Sequence, residues 1–480
     1  MNNLEPKEVF DIFSEICKVP RPSKHEERIS RWLVEFAREQ RIECVQDEYM
    51  NVIMRVPATP GYEEHEGVIL QAHMDMVCEK NGDVEHDFFS DGIETYVDGD
   101  WLKAKGTTLG GDDGIGISMA LAALTSKNLK HPALEALFTI DEETGLTGAF
   151  KLKDGYLNGK KLINLDSEDD GQIFIGCAGG IDTLAKMHYE PVTPDEIEQK
   201  FAFKVSVKGL LGGHSGDDIN KGRANANKVI VNFLKQLKDL NYELASIEGG
   251  NLRNAIAREA QAVFLVKESD KHEVVVRFNT CKAEVEQTFG EVEKEIVLSL
   301  DSIEKPKTII PTEKAHLLID ALVDCPHGMI AMSEDMPGLV ETSTNLASVK
   351  MKDGFIEVNT SQRSSVESEK HRIKDEVEKA LAEACDEVTH GDGYPGWKPN
   401  VHSPLMEATK KAYESLFHEE PKVLAIHAGL ECGLFLEKYP YLDMVSIGPQ
   451  MYGVHSPQER LSISSTGRCW MWLKTVLETL

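Results

Sequence analysis

Histidine, aspartate and glutamate side chains that could bind a metal ion follow several strand-like segments of this 480-residue chain. Ligands of parallel α/β sheets gather at the carboxyl ends of the strands, so residues that are distant in sequence can meet there. Two imidazoles and several carboxylates form a donor set that suits two zinc ions, with manganese or cobalt as alternatives. In chain order the candidates are His73, Asp75, Asp112, Glu142, Glu143, Asp166 and His455.

The first pair of candidates, His73 and Asp75, comes after the apolar run GVILQA. On an extended segment, side chains two residues apart point to the same side. One nitrogen of His73 could then bind a metal ion while Asp75 accepts a hydrogen bond from the other N–H. Taken alone, so short a pattern is more typical of a solvated strand end, and the interpretation depends on the whole set.

Two acidic pairs each allow a division of roles. Asp112 and Asp113 precede the helix-like run GIGISMALAALTSK, where one carboxylate could cap the helix while the other bridges two ions. Glu142 and Glu143 follow the run ALFTI, where adjacent charges at a buried strand end would repel each other without a cation. One of these glutamates could bind metal and the other could act as a general base.

The middle of the chain carries three further candidates. His214 lies in GLLGGHSGDDI, where the flanking glycines let the side chain approach another group closely. Arg363 ends a strand-like run and could bind a carboxylate through two parallel hydrogen bonds. From composition alone, Arg363 and Asn254, which lies in NLRNAIARE, are more typical of ordinary surface residues.

The elements that must position these residues alternate between strands and helices at both ends of the chain. This alternation predicts an α/β fold with a largely parallel sheet flanked by helices. The predicted strands are 67–72, 133–140, 161–165 and 441–449, and the predicted helices include 114–127 and 406–417. We therefore predict a catalytic, metal-binding domain formed by residues 1–186 and 398–480, with residues 187–397 inserted as a second domain.

The inserted region has the pattern of an α+β domain. Its predicted order is a strand at 203–209, a helix near 222–238, paired strands at 259–267 and 272–279, and a helix at 283–300. A looser version of this order occurs at about 313–388, with strands at 344–352 and 355–362 before a helix that begins near Val366. Two similar, ferredoxin-like halves are the expected arrangement.

Charge and cysteine content restrict the classes of partner and compartment. The chain has 81 acidic and 52 basic residues, a formal net charge of -29, which argues against nucleic acid and anionic membrane surfaces as partners. Its nine cysteines form no CxxC pair, a pattern typical of a reducing compartment. Since no apolar run could span a bilayer and the N-terminal segment lacks an apolar signal core, we expect a cytoplasmic protein.

Six motifs occur in an order that resembles a known family. They are QAHMDMVCEK, TTLGGDDGIG, DEETGLTGA, INLDSED, GGHSGDDI and GVHSP. Together they resemble the dinuclear zinc peptidases of the aminoacylase and carboxypeptidase superfamily, and within it the bacterial aminoacyl-histidine dipeptidases, over essentially the whole chain. The resemblance implies a zinc-exopeptidase-like catalytic domain that hydrolyses unblocked dipeptides, including Xaa-His, with a hydroxide held between two metal ions.

The resemblance also implies how the metal ligands divide. Asp112 would bridge the two ions. Glu143 and His455 would complete one metal site, and His73 and Asp166 would complete the other.

Further roles follow from the same resemblance. Asp75 would orient the first histidine ligand, and Glu142 would be the general base. In the inserted lid domain, His214 would help to stabilise the oxyanion, while Asn254 and Arg363 would contact the substrate. The lid would also carry the contact of a homodimer.

Two positions depart from the family pattern. Asp113 stands where an asparagine is expected, which leaves Asp112 and Asp113 as alternative bridges, with Asp112 at the motif's position. Gln458 stands where an aspartate is expected, a change that spares every ligand.

Three other functions are alternatives to the dipeptidase interpretation. An N-acyl-amino-acid deacylase or an aminotripeptidase would use the same ligands and base. A binding protein that had lost catalysis would be expected to lack a ligand or the base, and all are present here. A serine or cysteine nucleophile is disfavoured because the chain has no GxSxG motif and no cysteine in a suggestive setting.

Overall fold

The computed structural model describes residues 4–480, so the first three residues of the predicted catalytic domain lie outside the described part. Its α-helices are α1 (Lys7–Ile16), α2 (Glu27–Gln40), α3 (Gly111–Thr125), α4 (Glu142–Gly145), α5 (Thr147–Lys151), α6 (Ala226–Gln236), α7 (Lys271–Phe289), α8 (Thr312–Asp324), α9 (Glu367–Ala382), α10 (Pro404–Phe417), α11 (Cys432–Lys438) and α12 (Ile463–Thr479). None of the helices in this described part is long and apolar enough to cross a membrane.

The strands alternate with these helices along the chain. They are β1 (Glu43–Gln46), β2 (Val52–Val56), β3 (Val68–His73), β4 (Thr95–Asp98), β5 (Trp101–Ala104), β6 (Leu134–Thr139), β7 (Lys161–Asn164), β8 (Gln172–Cys177), β9 (Gly179–His188), β10 (Lys200–Lys208), β11 (Glu243–Gly249), β12 (Ala260–Lys267), β13 (Val297–Ser302), β14 (Gly328–Met332), β15 (Val340–Lys352), β16 (Phe355–Ser364), β17 (Glu387–His390), β18 (Lys422–Ile426), β19 (Asp443–Ser446), β20 (Met451–Tyr452) and β21 (Arg460–Ser462).

The chain divides into two compact units. The first contains the described residues up to Cys177 together with Trp397–Ala425 and Leu430–Leu480. The second contains Ala178–Gly396 and the short segment Ile426–Gly429.

The first unit is built on an eight-stranded sheet with the order β1-β2-β6-β3-β7-β19-β8-β18. Its four central strands, β6, β3, β7 and β19, run parallel to one another. Every residue of β3 and β6 is buried, as expected for parallel strands that are covered on both faces. The predicted α/β fold is therefore confirmed, with the parallel part confined to the middle of the sheet.

The carboxyl ends of the parallel strands supply the loops that carry the candidate ligands. Strand β3 ends at His73, β6 is followed by the short helix α4 that begins at Glu142, and β7 ends two residues before Asp166. A small antiparallel sheet, with the order β20-β21-β5-β4, supports the loops before Asp112 and around His455. The sheet topology thus brings distant segments to one edge.

Helix α3 anchors the central loop of this edge. Its residues from Gly111 to Leu124 are all buried, and it packs against α1, β3 and β6. A helix that is apolar on every side has to be covered on every side, which explains why α3 lies in the interior. Asp112 and Asp113 at its start have non-helical backbone torsions.

The second unit contains an antiparallel sheet with the order β13-β10-β12-β11-β15-β16-β9-β17, and β14 pairs with β15. Along the chain, β10, α6, β11, β12, α7 and β13 follow the β-α-β-β-α-β order of a ferredoxin-like fold. The other half of the sheet contains strands β15 and β16. Helix α8 precedes these two strands along the chain, and helix α9 follows them. The two halves meet where β11 pairs with β15.

The strand predicted at 272–279 is wrong, because this segment belongs to helix α7. Its valine-rich sequence is typical of strands, yet the side chains that are buried recur at helical spacing. These are Val274, Phe278, Cys281 and Val285, whereas Val275 and Val276 are exposed. The helix predicted at 283–300 is also too long, since it ends at Phe289 and the chain then forms β13.

Candidate metal centre

Two imidazoles face the two oxygens of the Asp112 carboxylate. His73 Nε2 lies 2.9 Å from Asp112 Oδ1, and His455 Nε2 lies 3.1 Å from Asp112 Oδ2. His73 is the last residue of β3, Asp112 lies in the first turn of α3, and His455 lies in the loop between β20 and β21. One carboxylate thus joins two imidazoles that are far apart in sequence.

Two further carboxylates complete this arrangement. Glu143 Oε2 lies 3.0 Å from His455 Nε2, and Asp166 Oδ1 lies 3.4 Å from His73 Nε2. The structure therefore brings together all five residues that were predicted as ligands, in two groups that share Asp112. That they bind metal in this division stays a prediction.

The donor set fits divalent metal ions. His73, Asp112 and Glu143 each offer a ligand atom within 4.8 Å of the others. Glu143 Oε1 is buried and has no hydrogen-bond partner among residues 4–480. Buried carboxylates that lie this close together are strongly unfavourable unless cations neutralise them, and mixed nitrogen and oxygen donors suit zinc-like ions.

The electrostatics of the cluster also favour a site for divalent metal ions. Burial raises the pKa of Asp166 to about 7 and that of Glu142 well above its ordinary value. The contacts with Asp112 and Glu143 raise the pKa of His455 to about 11. Without a cation, these groups share protons that a bound metal ion would have to displace.

Asp75 connects the histidine of β3 to the turn that carries the glutamates. Its Oδ1 lies 3.3 Å from His73 Nδ1. Its two oxygens also accept hydrogen bonds from the backbone N–H groups of Glu142, at 3.0 Å, and Glu143, at 3.2 Å. The sequence predicted the contact with His73 but gave no indication of the other two.

A second group of close carboxylates, Glu26, Asp75 and Asp141, lies beside the first. Glu26 Oε1 accepts a hydrogen bond of 3.0 Å from the Asp141 backbone N–H, and Asp141 accepts hydrogen bonds from two threonine hydroxyls. Because these acids already bind groups of the protein, they fix the turn that leads into Glu142.

Asp113 and Asp112 have different surroundings. The Asp113 carboxylate accepts hydrogen bonds from the backbone N–H groups of His73, at 3.3 Å, and Gly116, at 3.1 Å. It therefore connects the first turns of α3 to the end of β3, while Asp112 faces the imidazoles. The peptide bond between the two aspartates is cis.

The sequence did not indicate two buried charged residues that contact the loop before Asp112. Arg21 donates hydrogen bonds to the backbone carbonyls of Gly110 in this loop and of Met74 and Asp75, and Glu459 accepts hydrogen bonds from three backbone N–H groups of the loop. Arg21 lies in a proline-rich turn and Glu459 follows a polar loop, so both have the local pattern of solvated residues.

The other three predicted site residues, His214, Asn254 and Arg363, belong to the second unit. His214 Nδ1 lies 3.1 Å from Asp217 Oδ2, and its side chain is about one third exposed. Arg363 is buried and donates a hydrogen bond of 3.2 Å to the Tyr394 hydroxyl. Asn254 is exposed.

A buried histidine of the second unit, His427, was also missed by the sequence analysis. Its Nε2 lies 2.7 Å from Ser343 Oγ. Burial and the positive charge of Arg363 lower the pKa of His427 to about 3, so its imidazole is neutral. His427 Nδ1 and Arg363 Nε are buried and have no hydrogen-bond partner within the described chain.

The sequence of the chain matches a family of peptidases. The model of peptidase family M20/M25/M40 matches residues 69–479. The cytosol non-specific dipeptidase of Escherichia coli (strain K12) is 42% identical over 484 aligned residues, which cover 100% of this chain and 99% of that protein.

Solved structures of peptidases have a similar fold. The aminoacylhistidine dipeptidase of Vibrio alginolyticus has a TM-score of 0.94 at 39% identity, and the match covers 100% of this chain and 97% of that one. The aminopeptidase PepT of Bacillus cereus has a TM-score of 0.58 at 15% identity, over 99% of this chain and 98% of that one, so that this likeness concerns the fold alone.

Proposed function

The chain belongs to peptidase family M20/M25/M40, and from this membership we propose that it is a dinuclear metallo-dipeptidase that hydrolyses unblocked dipeptides, including Xaa-His. The observation that carries the proposal is the Asp112 carboxylate, which has an imidazole at each oxygen. The full-length similarity to two dipeptidases favours this activity over the deacylase and aminotripeptidase alternatives.

We propose zinc as the metal at both sites, with Asp112 shared between them. His73 and Asp166 would hold one ion, and Glu143 and His455 would hold the other. When bound, the two ions would polarise the scissile carbonyl and lower the pKa of the attacking water. The mixed nitrogen and oxygen donors support zinc, and manganese and cobalt share this preference.

Glu142 is the proposed general base. Of the three acids in the DEE segment, Glu142 is the one that we assign neither to a metal ion nor to the turn, and desolvation raises its pKa well above the ordinary value, which favours proton uptake. It would take a proton from the attacking water and deliver it to the leaving amine. Asp75 would keep Glu142 in place through the backbone N–H and would orient His73.

The second unit supplies the proposed substrate contacts. His214 would stabilise the oxyanion, and Asn254 would contact the substrate backbone. Arg363 would bind the free C-terminal carboxylate, and its buried, unpaired Nε supports this role, since a carboxylate accepts two parallel hydrogen bonds from a guanidinium. Such a contact would restrict cleavage to substrates with one residue beyond the scissile bond.

Two further properties belong to the proposal. We propose that the protein acts in the cytoplasm and that it forms a homodimer through its second unit, in which the exposed valines 275 and 276 of α7 offer an apolar surface. Light scattering on the purified protein would test the dimer: a monomeric mass at micromolar concentration would contradict it.

A substrate panel tests the activity. Zinc- or manganese-loaded protein is incubated with β-Ala-His, Ala-His, Ala-Ala-Ala and N-acetyl-Ala, and released amine is measured with and without a chelator. We expect chelator-sensitive cleavage of the two free dipeptides only. Cleavage of N-acetyl-Ala would assign deacylation instead, cleavage of the tripeptide alone would assign an aminotripeptidase, and inactivity on all four would contradict an enzymatic role.

A further inference from the structure

The three residues before Asp112, Leu109–Gly111, form a loop that is held by a buried carboxylate. The Glu459 side chain accepts hydrogen bonds from the backbone N–H groups of Leu109 at 2.7 Å, Gly110 at 3.1 Å and Gly111 at 2.7 Å. Glu459 is only 3% exposed. Three directional hydrogen bonds to one side chain fix the position of the loop.

A buried guanidinium holds the same loop from another direction. Arg21 is also 3% exposed, and it donates hydrogen bonds to the backbone carbonyls of Met74 at 3.0 Å and Asp75 at 2.8 Å, and to the carbonyl of Gly110. Gly110 has a φ of 68°, and a Cβ added there would lie 2.6 Å from Arg21 Nη2. The loop therefore needs glycine at this position to accept the arginine.

Arg21 and Glu459, which we call the two tethers of this loop, each connect it to the chain segment of a different imidazole. Arg21 binds the carbonyls of the two residues that directly follow His73, while Glu459 lies four residues after His455 in the same loop region. Asp112, which directly follows the tethered loop, has one oxygen toward each of these histidines. Arg21 thus joins the Asp112 loop to the segment that follows His73, and Glu459 joins it to the loop that carries His455.

We propose that Arg21 and Glu459 are positioning residues that control the two metal sites separately. Glu459 fixes Asp112 relative to His455 and governs the site completed by Glu143. Arg21 fixes Asp112 relative to His73 and governs the site completed by Asp166. The inference rests on the proposed dinuclear centre, and partners that orient metal ligands typically change affinity about 10–100-fold when they are lost.

Metal titration of chelator-stripped variants tests this inference without using activity. Zinc is titrated calorimetrically into the wild type, Glu459→Gln and Arg21→Lys. Lysine keeps the charge of Arg21 but cannot reproduce its fork of donors. We expect each variant to bind one ion about 10–100-fold more weakly and the other within about threefold of the wild type.

Glu135→Gln is the matched control. Glu135 is a buried carboxylate of β6 that also accepts backbone N–H hydrogen bonds, from Asn158 and Gly159, at the opposite end of that strand. It should bind both ions like the wild type. If Glu459→Gln behaved like Glu135→Gln, or lost both ions equally, a merely structural role would be indicated and the inference would be overturned.

Double variants identify which site each tether governs. Adding Glu459→Gln to Glu143→Gln should weaken metal binding no further, because that site is already impaired, whereas adding it to Asp166→Asn should weaken the remaining ion. The opposite pattern would refute the assignment. If Glu459→Gln did not fold, Glu459→Asp would withdraw the same carboxylate and should show the same selective loss.

The outcome for this inference is separate from that for the proposed function. A wild type that binds two ions but cleaves none of the four substrates would contradict the dipeptidase proposal alone. A wild type that cleaves dipeptides, with tether variants that bind both ions normally, would contradict the inference alone.

Discussion

Replacing Glu142 with glutamine tests the proposed chemistry most directly. Glutamine has nearly the shape of glutamate and keeps the backbone N–H that donates to Asp75 at 3.0 Å, so the turn should be preserved. Its amide cannot accept the proton of an attacking water. The five proposed metal ligands remain, and the variant should therefore still bind two ions.

The expected loss follows from the role of a general base and from the surroundings of Glu142. General-base catalysis contributes about 10²–10⁴-fold to a rate, which corresponds to about 3–5.5 kcal/mol of activation free energy. Glu142 is half-buried, so its surroundings shield it from water only in part, and we expect kcat to fall within this range, by about 10²–10⁴-fold. KM should change little, since Glu142 binds no part of the ground-state substrate in this scheme.

The assay compares Ala-His hydrolysis and metal content for the wild type, Glu142→Gln and Glu135→Gln. Glu135→Gln removes a different buried carboxylate of the preceding strand, outside the proposed machinery, and its kcat should stay within about threefold of the wild type. A Glu142→Gln protein with two ions and a kcat within tenfold of the wild type would refute the assignment of the base. Loss of a metal ion from it would instead make Glu142 a ligand.

Three further outcomes are expected. Asp75→Asn should weaken zinc binding about 10–100-fold in calorimetry, because Asp75 lies 3.3 Å from His73 Nδ1; unchanged affinity would exclude an orienting role. Zinc binding to the metal-free protein should release protons and strengthen as the pH rises from about 6 to about 8, because the pKa of His455 is raised to about 11 and its protonated form must lose the proton before it can bind metal; an affinity independent of pH would contradict this. Gly448→Ala should lower the free energy of unfolding by at least about 1–3 kcal/mol in urea denaturation, because its Cβ would lie 1.6 Å from the Ser167 carbonyl oxygen; an unchanged midpoint would show that the backbone yields there at no cost.

Local sequence patterns were sufficient for most elements near the site. The run at 114–127 is too long and too apolar for a strand, and it forms the buried helix α3. The runs at 133–140 and 161–165 form β6 and β7 because short apolar segments between helices fit a parallel sheet. The prediction of a strand at 272–279 failed because the strand preference of its valines was outweighed by the helical spacing at which Val274 and Phe278 pack against the core.

The sequence also determined the composition of the candidate centre. Residue types that bind metal follow strand-like runs, and parallel strands place their carboxyl ends at one edge, so convergence could be predicted without coordinates. This reasoning gave the seven candidates, and the resemblance to the peptidase family selected His73, Asp112, Glu143, Asp166 and His455 among them as ligands, which the structure brings together.

Only the tertiary structure decided how Asp112 and Asp113 differ and which charged residues are buried. The two aspartates have the same local pattern, but one faces two imidazoles and the other accepts backbone N–H groups. Arg21 and Glu459 resemble solvated residues in the sequence, yet their partners in the Asp112 loop lie 89 and about 350 residues away. Burial and hydrogen bonding of a charge depend on such distant segments, and a local pattern carries no information about them.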